Sequence, residues 1–290
     1  MKRSSSITDR IVIGVIYALL SLLTVSTLLP FLQVLTVSVS PIEVINSYGL
    51  HLIPTALDFT GYKQVFQYDL IWQAYQNTFV RTLLATSLTV ILTFMGAYPL
   101  SKRTLPNRRL WTGVIVLTMF FSGGLIPSYL LVKELGLINS IGALVLPGAI
   151  NTFLLLIVRN FISALPDSLE ESAKIDGAND LYILWKVIVP LSMPVLATVA
   201  LYTAVHHWNA WFDSMLYMQT DKKQVLQLIL RRIILEGQQI PVGGEMQAQA
   251  QNLESMKMAT LVVSIVPILC VYPFLQKYFV QGTLLGSVKG

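Results

Sequence analysis

Charged residues are absent from six long apolar windows of the chain, and these windows dominate its hydrophobic pattern. A helix needs about 20 mostly apolar residues to cross the ~30 Å hydrocarbon core of a membrane, and each window reaches or approaches that length. The windows cover residues 11–42, 82–101, 110–132, 135–158, 187–212 and 258–276. The pattern therefore predicts an all-α membrane protein with six transmembrane helices. A soluble protein with buried core helices is disfavoured, because six such windows occur in one chain.

The six predicted transmembrane helices define the domain organisation. Allowing for loop residues at the window ends, they span about residues 11–40, 80–101, 110–132, 137–158, 190–213 and 258–277. We predict a short segment over residues 1–10, followed by one transmembrane domain over residues 11–290. Pro41, Pro99 and Pro127 stand where helices could end or kink, because proline cannot donate a backbone hydrogen bond.

The composition agrees with a membrane protein. Of the 290 residues, 54% are hydrophobic and 12% are charged, whereas about a quarter are charged in ordinary soluble domains. This excludes a conventional soluble enzyme, a disordered regulator and a fibrous repeat. The single cysteine, Cys270, cannot form an intramolecular disulfide, and with three histidines it makes no plausible zinc site.

The length of the first window distinguishes a membrane helix from a cleaved signal peptide. Lys2, Arg3 and Arg10 resemble the basic start of a signal peptide. The window that follows, 11–42, is far longer than the ~7–15 apolar residues of such a peptide. We therefore expect an uncleaved first helix, and cleavage at the small residues 38–40 is the alternative.

The positive charges predict the orientation in the membrane. If the N-terminus lies in the cytoplasm, 12 of the 20 Lys and Arg residues fall in cytoplasmic segments. They are Lys2, Arg3, Arg10, Lys102, Arg103, Arg108, Arg109, Arg159, Lys174, Lys186, Lys277 and Lys289. The tight turn 102–109 is the strongest single indication under the positive-inside rule. We predict that both termini are cytoplasmic, and we interpret the net charge of +5 as topological rather than as a sign of nucleic-acid binding.

Three connecting segments are too long to be simple turns. The first outer segment, 43–77, is expected to form a small cap. The second, 219–257, contains an apolar run over 225–235 and then a polar stretch rich in Gly and Gln. The run is too short to cross the membrane and is interrupted by two arginines, so it suits an interfacial or partner-facing helix. The third segment, 159–189, is cytoplasmic in this topology.

Local signals in the cytoplasmic segment predict a short helix. Ser168 and Glu171, three positions apart, form a capping box that would start a helix at Leu169. Gly177 is the natural residue for a left-handed helix end. The expected helix has about two turns and a length of ~12 Å.

A second helix is expected to follow directly. Asn179 or Asp180 could cap its start. It would run through Trp185 toward Pro190 and Pro194, where the chain is prone to kink. A short rigid helix connected this closely to a transmembrane helix could transmit a displacement caused by a cytoplasmic partner.

These residues carry a resemblance to a known family. The chain has Glu171-Ser172-Ala173, then Gly177, then Val187-Ile188-Val189-Pro190. It resembles the permease subunits of binding-protein-dependent ABC importers, whose signature is Glu-Ala-Ala, three residues, Gly, nine residues and Ile-x-Leu-Pro. Ser172, Val187 and Val189 depart from that signature conservatively. The resemblance implies a type I importer transmembrane domain. Its coupling helix would dock on an ATPase subunit through Glu171, Ser172, Ala173, Gly177 and Pro190.

Other segments are similar to the carbohydrate branch of this family, in particular to the second permease of maltose-type importers. They are Asn77-Thr78, 97–103, 120–127, Trp208-Asn209, 273–282 and 286–290. The resemblance implies import of a carbohydrate, an oligosaccharide in particular, across the bacterial cytoplasmic membrane. The implied partners are ABC ATPase subunits, a second homologous permease and an extracytoplasmic substrate-binding protein, besides the carbohydrate and membrane lipid.

The chain itself carries no sign of nucleotide chemistry. None of its 17 glycines is followed by Lys, so no Walker A phosphate loop can be written. We therefore expect no cofactor in this chain and no enzymatic activity of its own. ATP and Mg²⁺ would be bound by the partner ATPase subunit.

A polar and aromatic group in the fifth window is the candidate substrate pathway. Its members are His206, His207, Trp208, Asn209 and Trp211. Aromatic faces stack on sugar rings, and Asn or His can hydrogen-bond to hydroxyls, while polar residues at membrane depth normally face a cavity or a partner helix. The alternatives are aromatic residues at the membrane interface and hydrogen bonds between helices.

Two further features leave alternatives open. Gly123-Gly124 followed by Pro127 could mark a broken helix in a translocation path, although we favour close helix packing with a kink. Arg81 could anchor its helix at the outer interface or face the pathway.

Two other functional classes remain as rivals. An ion-coupled secondary transporter of a small polar solute would need buried carboxylates or broken helices in corresponding halves, which the sequence does not display. A membrane enzyme or scaffold is the second rival, and no nucleophile–base pair supports an enzyme.

Overall fold

The computed structural model describes residues 7–45, 47, 49–235 and 254–270, and all regular structure in these residues is helical. The α-helices are α1 (Ile7–Ser38), α2 (Ile42–Ile45), α3 (Thr60–Gln67), α4 (Asp69–Ser101), α5 (Arg108–Phe120), α6 (Leu125–Glu134), α7 (Ile141–Val145), α8 (Thr152–Ser163), α9 (Ser168–Ile175), α10 (Asp180–Tyr182), α11 (Val189–Leu191), α12 (Met193–Asn209), α13 (Phe212–Tyr217), α14 (Leu226–Leu235) and α15 (254–270). A π-helical segment (Ile183–Ile188) lies between α10 and α11, and a 3₁₀ turn (Asp221–Lys223) precedes α14. The predicted all-α class is confirmed over these residues.

Two helices are long and apolar enough to cross a membrane alone, namely Arg10–Ser38 within α1 and the 33-residue α4. Three further pairs qualify only when taken together, and each is bent: α5 with α6 by 109°, α8 with α9 by 72°, and Asp180–Leu191 with α12 by 79°. Length and composition thus allow two to five crossings within the described residues. The six-helix count and the orientation stay predictions.

The third predicted helix is broken rather than kinked. Residues 121–124 between α5 and α6 are not helical, and Gly124 has a φ of +86°. A Cβ added to Gly124 would meet nothing within 4 Å, so this glycine supplies backbone freedom rather than a close helix contact. The structure therefore has a break at Gly124 instead of the favoured kink with close packing, and a place for this break in a translocation path stays a prediction.

The fourth predicted helix, 137–158, is divided between α7 and α8. Pro147 and Gly148 lie in the turn between them. Asn151 then caps α8, because its side-chain oxygen accepts a hydrogen bond from the backbone N–H of Leu154 at 3.1 Å. A proline, a glycine and an N-cap in sequence end one helix and start another inside an apolar window.

The chain forms two compact units. One comprises residues 1–69 and 230–266, and the other comprises residues 70–229 and 267–290. In the first unit, the most apolar 18-residue stretch of α1 has no buried residue. An added Cβ at Gly61 would lie 2.7 Å from the Ser255 hydroxyl oxygen, so the close approach at this position requires glycine.

The core of the second unit lies among α4, α8, the π segment and α12. Phe94 and Ala97 of α4 belong to this cluster together with Val158 and Val199. Gly96 of α4 lies so near α8 that an added Cβ would be 3.2 Å from a methyl carbon of Leu155. In lipid, such close packing rather than the removal of apolar surface from water stabilises helix pairs.

The apolar run predicted as an interfacial helix forms α14. Val225 and Leu228 are buried, in a cluster with Tyr217 and Met218. This part of the run therefore packs in the interior of the chain, contrary to the predicted interfacial or partner-facing role.

Several sequence predictions lie outside the described residues. They concern Lys2 and Arg3, the Gly- and Gln-rich stretch over 236–253, the end of the sixth predicted helix after residue 270, and the C-terminal segments 273–282 and 286–290.

Candidate functional site

The segment 159–189 contains the predicted short helix, α9. It starts at Ser168, one residue before the predicted start, and Asp167 holds the N-cap position with no side-chain hydrogen bond to the helix. The chain enters α9 through a backbone turn, in which Leu169 N–H donates to the Pro166 carbonyl at 3.2 Å. The predicted capping box of Ser168 and Glu171 is therefore wrong, because backbone hydrogen bonds alone begin this helix.

The end of α9 is as predicted. Gly177 has a φ of +80°, its N–H donates to the Lys174 carbonyl, and Ala178 N–H donates to the Ala173 carbonyl, each at 3.0 Å. These two hydrogen bonds define a Schellman motif. A Cβ at Gly177 would meet nothing within 4 Å, so the left-handed backbone rather than crowding favours glycine.

Asn179, rather than Asp180, caps the start of the next helix. The Asn179 side-chain oxygen accepts from Tyr182 N–H at 2.8 Å, whereas Asp180 pairs with Lys174 at 3.4 Å. Beyond Tyr182 the chain takes the π conformation, in which Val189 N–H donates to the Leu184 carbonyl.

Proline chemistry explains why a π segment stands at this place. Pro190 cannot donate to the Lys186 carbonyl four residues earlier, and in an α-helix its ring would clash with that oxygen. The wider π turn relieves this clash. The helix then breaks at Ser192, where it bends by 79° into α12.

One side of α9 packs inward. Ala173 and Ala178 pack against the core cluster, and Glu170 forms an ion pair with Lys102, which follows α4. The Lys102 ammonium also lies 4.2 Å from the centroid of the Tyr98 ring.

The other side of α9 is exposed. Glu171, Ser172 and Gly177 are exposed, and Ile175 is 86% exposed. Pro190 at the start of α11 is exposed as well. Exposed apolar side chains beside a carboxylate form a surface that can bind another protein.

Arginines hold the end of α4 near α9. The Leu100 carbonyl accepts from Arg108 Nε at 2.8 Å and from Arg159 Nε at 3.2 Å, and the Ser101 carbonyl accepts from the Ser163 hydroxyl at 3.4 Å. The last carbonyls of a helix have no intrahelical partner and carry partial negative charge. Two of the cationic residues that indicated topology therefore also cap α4, a role that the sequence analysis missed.

The second candidate region is an open cavity of about 760 Å³ beside α12. Three of the five predicted pathway residues, His206, Asn209 and Trp211, line this cavity, and so does Tyr202. Residues 202, 206 and 209 lie on one face of α12 because they are three or four positions apart. Tyr202 is not among the predicted pathway residues, although this spacing points to it.

His207 and Trp208 lie on the opposite side of α12 and are 4% and 6% exposed. The Trp208 ring meets the Tyr75 ring edge to face, with centroids 5.7 Å apart. Trp208 also borders a separate apolar cavity of about 240 Å³ with Phe79 and Leu83 of α4. The structure thus divides the predicted group into three cavity residues and two interior residues.

Arg81 binds the chain segment that follows α12. It is 1% exposed, it forms an ion pair with Asp213, and its Nη1 donates to the Ala210 carbonyl at 3.1 Å. Ala210 and Asp213 both line the 760 Å³ cavity. The sequence left the role of Arg81 open, and the complementary charges at the ends of two apolar windows were the available signal.

The Asn77-Thr78 pair of the carbohydrate branch has a clear contact. Asn77 Nδ2 donates to the Lys222 and Gln224 carbonyls at 2.8 and 3.0 Å, and the Thr78 hydroxyl oxygen accepts from Leu226 N–H at 2.8 Å. The pair thereby ties α4 to the start of α14.

Comparison with known proteins assigns the family. The family model described as "Binding-protein-dependent transport system inner membrane component" matches residues 2–284. The polygalacturonan/rhamnogalacturonan transport system permease protein YtcP of Bacillus subtilis (strain 168) is 41% identical, over 95% of this chain and 97% of that protein. Protein LplC of the same organism is 41% identical, over 91% of this chain and 90% of that protein.

A solved structure agrees with these relatives. It is the crystal structure of a bacterial ABC transporter involved in the import of the acidic polysaccharide alginate, which matches with a TM-score of 0.89 and 34% identity over 96% of this chain and 100% of that chain. The resemblance inferred from the residues is thereby confirmed, and the family consists of transport components rather than enzymes. The chain belongs to the binding-protein-dependent transport system inner membrane component family and is a membrane-embedded permease of an ABC importer.

Proposed function

We propose that this chain imports an oligosaccharide across the cytoplasmic membrane, powered by ATP hydrolysis in separate ATPase subunits that bind ATP and Mg²⁺. The observation that carries the proposal is α9, a short helix held inward by Ala173 and by the Glu170–Lys102 ion pair while its other side is exposed. An ATPase needs such a firmly held but accessible element, since nucleotide binding can favour one conformation only through differential contacts.

The coupling surface comprises the predicted residues, namely Glu171, Ser172, Ala173, Gly177 and Pro190. Glu171 is exposed and does not serve in a capping box, so its carboxylate can pair with a cationic group of the ATPase. Gly177 ends the helix, and Pro190 marks where the segment turns toward α12.

The cavity beside α12 is one wall of the substrate pathway. His206 and Asn209 are exposed there and can hydrogen-bond to sugar hydroxyls, while Tyr202 and Trp211 offer aromatic faces to sugar rings. A volume of about 760 Å³ lies within the usual range for ligand sites. A second homologous permease supplies the facing wall.

Uronate-containing oligosaccharides are the first substrates to test. One relative is a polygalacturonan/rhamnogalacturonan transport system permease, and the solved structure is of a transporter involved in the import of the acidic polysaccharide alginate. The carboxylate that lines the cavity, Asp213, is paired with Arg81, so it repels an anionic sugar less than a lone carboxylate would.

The finer topology belongs to the same proposal. Six transmembrane helices within residues 11–290, with both termini cytoplasmic, would put segment 159–189 on the ATPase side. The same arrangement would put 219–257 on the outer side, where the substrate-binding protein delivers the sugar. The basic turn 102–109 supports this orientation.

Reconstituted transport tests the proposal. The full complex of both permeases, the ATPase subunits and the binding protein is placed in proteoliposomes, and uptake of labelled oligogalacturonide is compared with that of a neutral oligosaccharide. We expect uptake to require ATP and the binding protein and to survive a protonophore at constant ATP. Collapse of uptake with the protonophore would instead favour the ion-coupled transporter.

A further inference from the structure

Helix α4 is one continuous helix with an ion pair at Arg81, in its first half, and another at Lys102, directly after its last residue. It runs from Asp69 to Ser101 as one helix, although Pro99 lies in its last turn. Arg81 and Ser101 are 20 positions apart, which corresponds to about 30 Å along a helix. The two ion pairs of α4 therefore lie about a membrane thickness apart.

The first ion pair joins α4 to the coupling helix. Lys102 and Glu170 have side-chain exposures of 26% and 17%, so the pair is largely shielded from water. By contrast, the other ion pair of α9, between Lys174 and Asp180, has exposures of 57% and 74%. A shielded pair is weakened less by salt and holds its geometry better than an exposed one.

The second ion pair joins α4 to the cavity wall. Arg81 is buried and contacts two cavity residues at once, through Asp213 and the Ala210 carbonyl. Breaking a buried pair is costly because it leaves an uncompensated charge. A displacement of α4 must therefore move the segment after α12 as well.

The covalent route between α9 and the same cavity is irregular, in contrast to the continuous α4. It passes through the π segment and then through the 79° bend before α12. Such irregular turns can absorb a displacement that a continuous helix passes on.

We propose that α4 carries the movement of the coupling helix to the substrate cavity, with Lys102, Glu170, Arg81 and Asp213 as positioning residues. This rests on the proposed function, because it presumes that α9 receives the ATPase. Lys102, Glu170 and Arg81 would act through the helix that they hold, without touching ATP or sugar, whereas Asp213 also lines the cavity.

A reporter on the cavity wall tests the proposal. Tyr202, which is 57% exposed in the cavity, is replaced by Cys after Cys270→Ser has removed the native cysteine. The full complex in nanodiscs is labelled with a maleimide, with and without ATP and vanadate. We expect the labelling rate to depend on nucleotide, and we expect Glu170→Gln or Lys102→Gln to reduce that dependence about five- to tenfold, within the usual range of allosteric coupling. ATPase binding and hydrolysis are measured in the same variants, and labelling rates are compared only among complexes that retain the ATPase, because this ion pair also holds α9.

The controls separate transmission from general damage. Lys174→Gln and Asp180→Asn break the exposed ion pair of the same helix and should leave the nucleotide dependence unchanged. The exchange Lys102→Glu with Glu170→Lys should restore it. Arg81→Gln should abolish it by breaking the ion pair beside the cavity, about 30 Å along α4 from Lys102. If that variant fails to assemble, the cytoplasmic-end variants decide.

The outcomes are distinct. Full nucleotide dependence of labelling in Glu170→Gln and Lys102→Gln would overturn the role of α4, as would a reporter that never responds in the parent complex. ATP-dependent uptake of oligogalacturonide by the same parent complex is measured in parallel. Loss of that uptake would overturn the proposed function, whereas normal uptake with an unresponsive reporter would overturn only the transmission by α4.

Discussion

Neighbouring residues of α12 have opposite environments. His206 is exposed in the cavity, whereas His207 is buried on the side of α12 that holds Trp208. A helix rotates by about 100° per residue, so the His207 side chain points in a different direction from that of His206 and lies away from this cavity. The role of each histidine therefore follows from its position in the helical turn rather than from its chemistry.

We expect His206→Ala and Asn209→Ala each to raise the apparent KM for oligosaccharide uptake about fivefold, because each removes a hydrogen bond worth about 1 kcal/mol. The thermal stability of the purified complex should change little. Trp208→Ala is the control, since it empties an interior site and should cost about 3 kcal/mol of stability. Unchanged uptake of every tested sugar by the first two variants would remove these residues from the pathway.

At the residue scale, the helix end at Gly177 and the N-cap at Asn179 could be predicted, because both roles depend on local backbone geometry. His206 and His207 were both predicted to line the pathway because they are the same residue type, although they point in different directions on the helix. The role of Arg81 was left open because its partner, Asp213, is 132 positions away along the chain. Only packing of α4 against the end of α12 brings those two charges together.

The end of α9 has a matched counterpart elsewhere in the chain. Gly136, which follows α6, has a φ of +67°, and its N–H donates to the Lys133 carbonyl at 2.9 Å. Leu137 N–H donates to the Val132 carbonyl at 3.1 Å, so the same motif ends both helices. A Cβ would meet nothing within 4 Å at either glycine. The two positions therefore require the same left-handed backbone conformation and differ only in their location in the chain.

We expect Gly177→Ala to weaken ATPase binding about five- to thirtyfold, because a left-handed conformation costs a non-glycine residue about 1–2 kcal/mol. Gly177→Pro should abolish ATPase recruitment, since proline fixes φ near −65° and removes the N–H that bonds to Lys174. Co-purification of the ATPase with the permease measures both effects. Gly136→Ala carries the same backbone cost and should leave recruitment intact. Equal losses in the two alanine variants would show that general destabilisation, not the coupling surface, is responsible.

At the element scale, the presence of helices could be predicted from the sequence more reliably than the positions of their breaks. The apolar windows 110–132 and 135–158 both contain breaks, at Gly124 and at Pro147-Gly148. Charge counting cannot detect such breaks, because a turn inside an apolar window needs no charged residue. The π segment was missed for a similar reason, since its cause is a steric clash between Pro190 and a preceding carbonyl.

The whole molecule depends on its surroundings to cover its apolar surface. Among the described residues, the most apolar stretch of α1 has no buried residue, so its surface is available for contact with lipid or another subunit. The polar residues, by contrast, concentrate in the connecting segments, which is why charge placement could indicate an orientation.

The predicted orientation can be tested with alkaline phosphatase fusions, since this enzyme is active only outside the cytoplasm. We expect fusions after Thr104 and after Gly290 to be inactive and a fusion after Lys223 to be active. Fluorescent-protein fusions at the same positions should give the opposite pattern. An active phosphatase after Thr104 would contradict the positive-inside assignment on which the placement of α9 depends.

At the scale of the whole molecule, the fold class and the family could be predicted because the apolar windows and the motif over 171–190 each consist of residues close together in the sequence. The cavity could not be predicted, because its wall combines one face of α12 with the segment after it. That segment is held in place by a residue of α4.

The π segment has a consequence for chain length between α9 and α12. A residue added to or removed from a regular α-helix rotates everything beyond it by about 100°. A π turn already holds an extra residue, so losing one residue there can restore an α turn while both flanks keep their directions. Trp185 and Lys186 are the exposed residues of this segment, so the loss of either would disturb the interior least. Homologous chains one residue shorter at this point can therefore present α9 and α12 at the same angle, and gaps in their alignments should collect here.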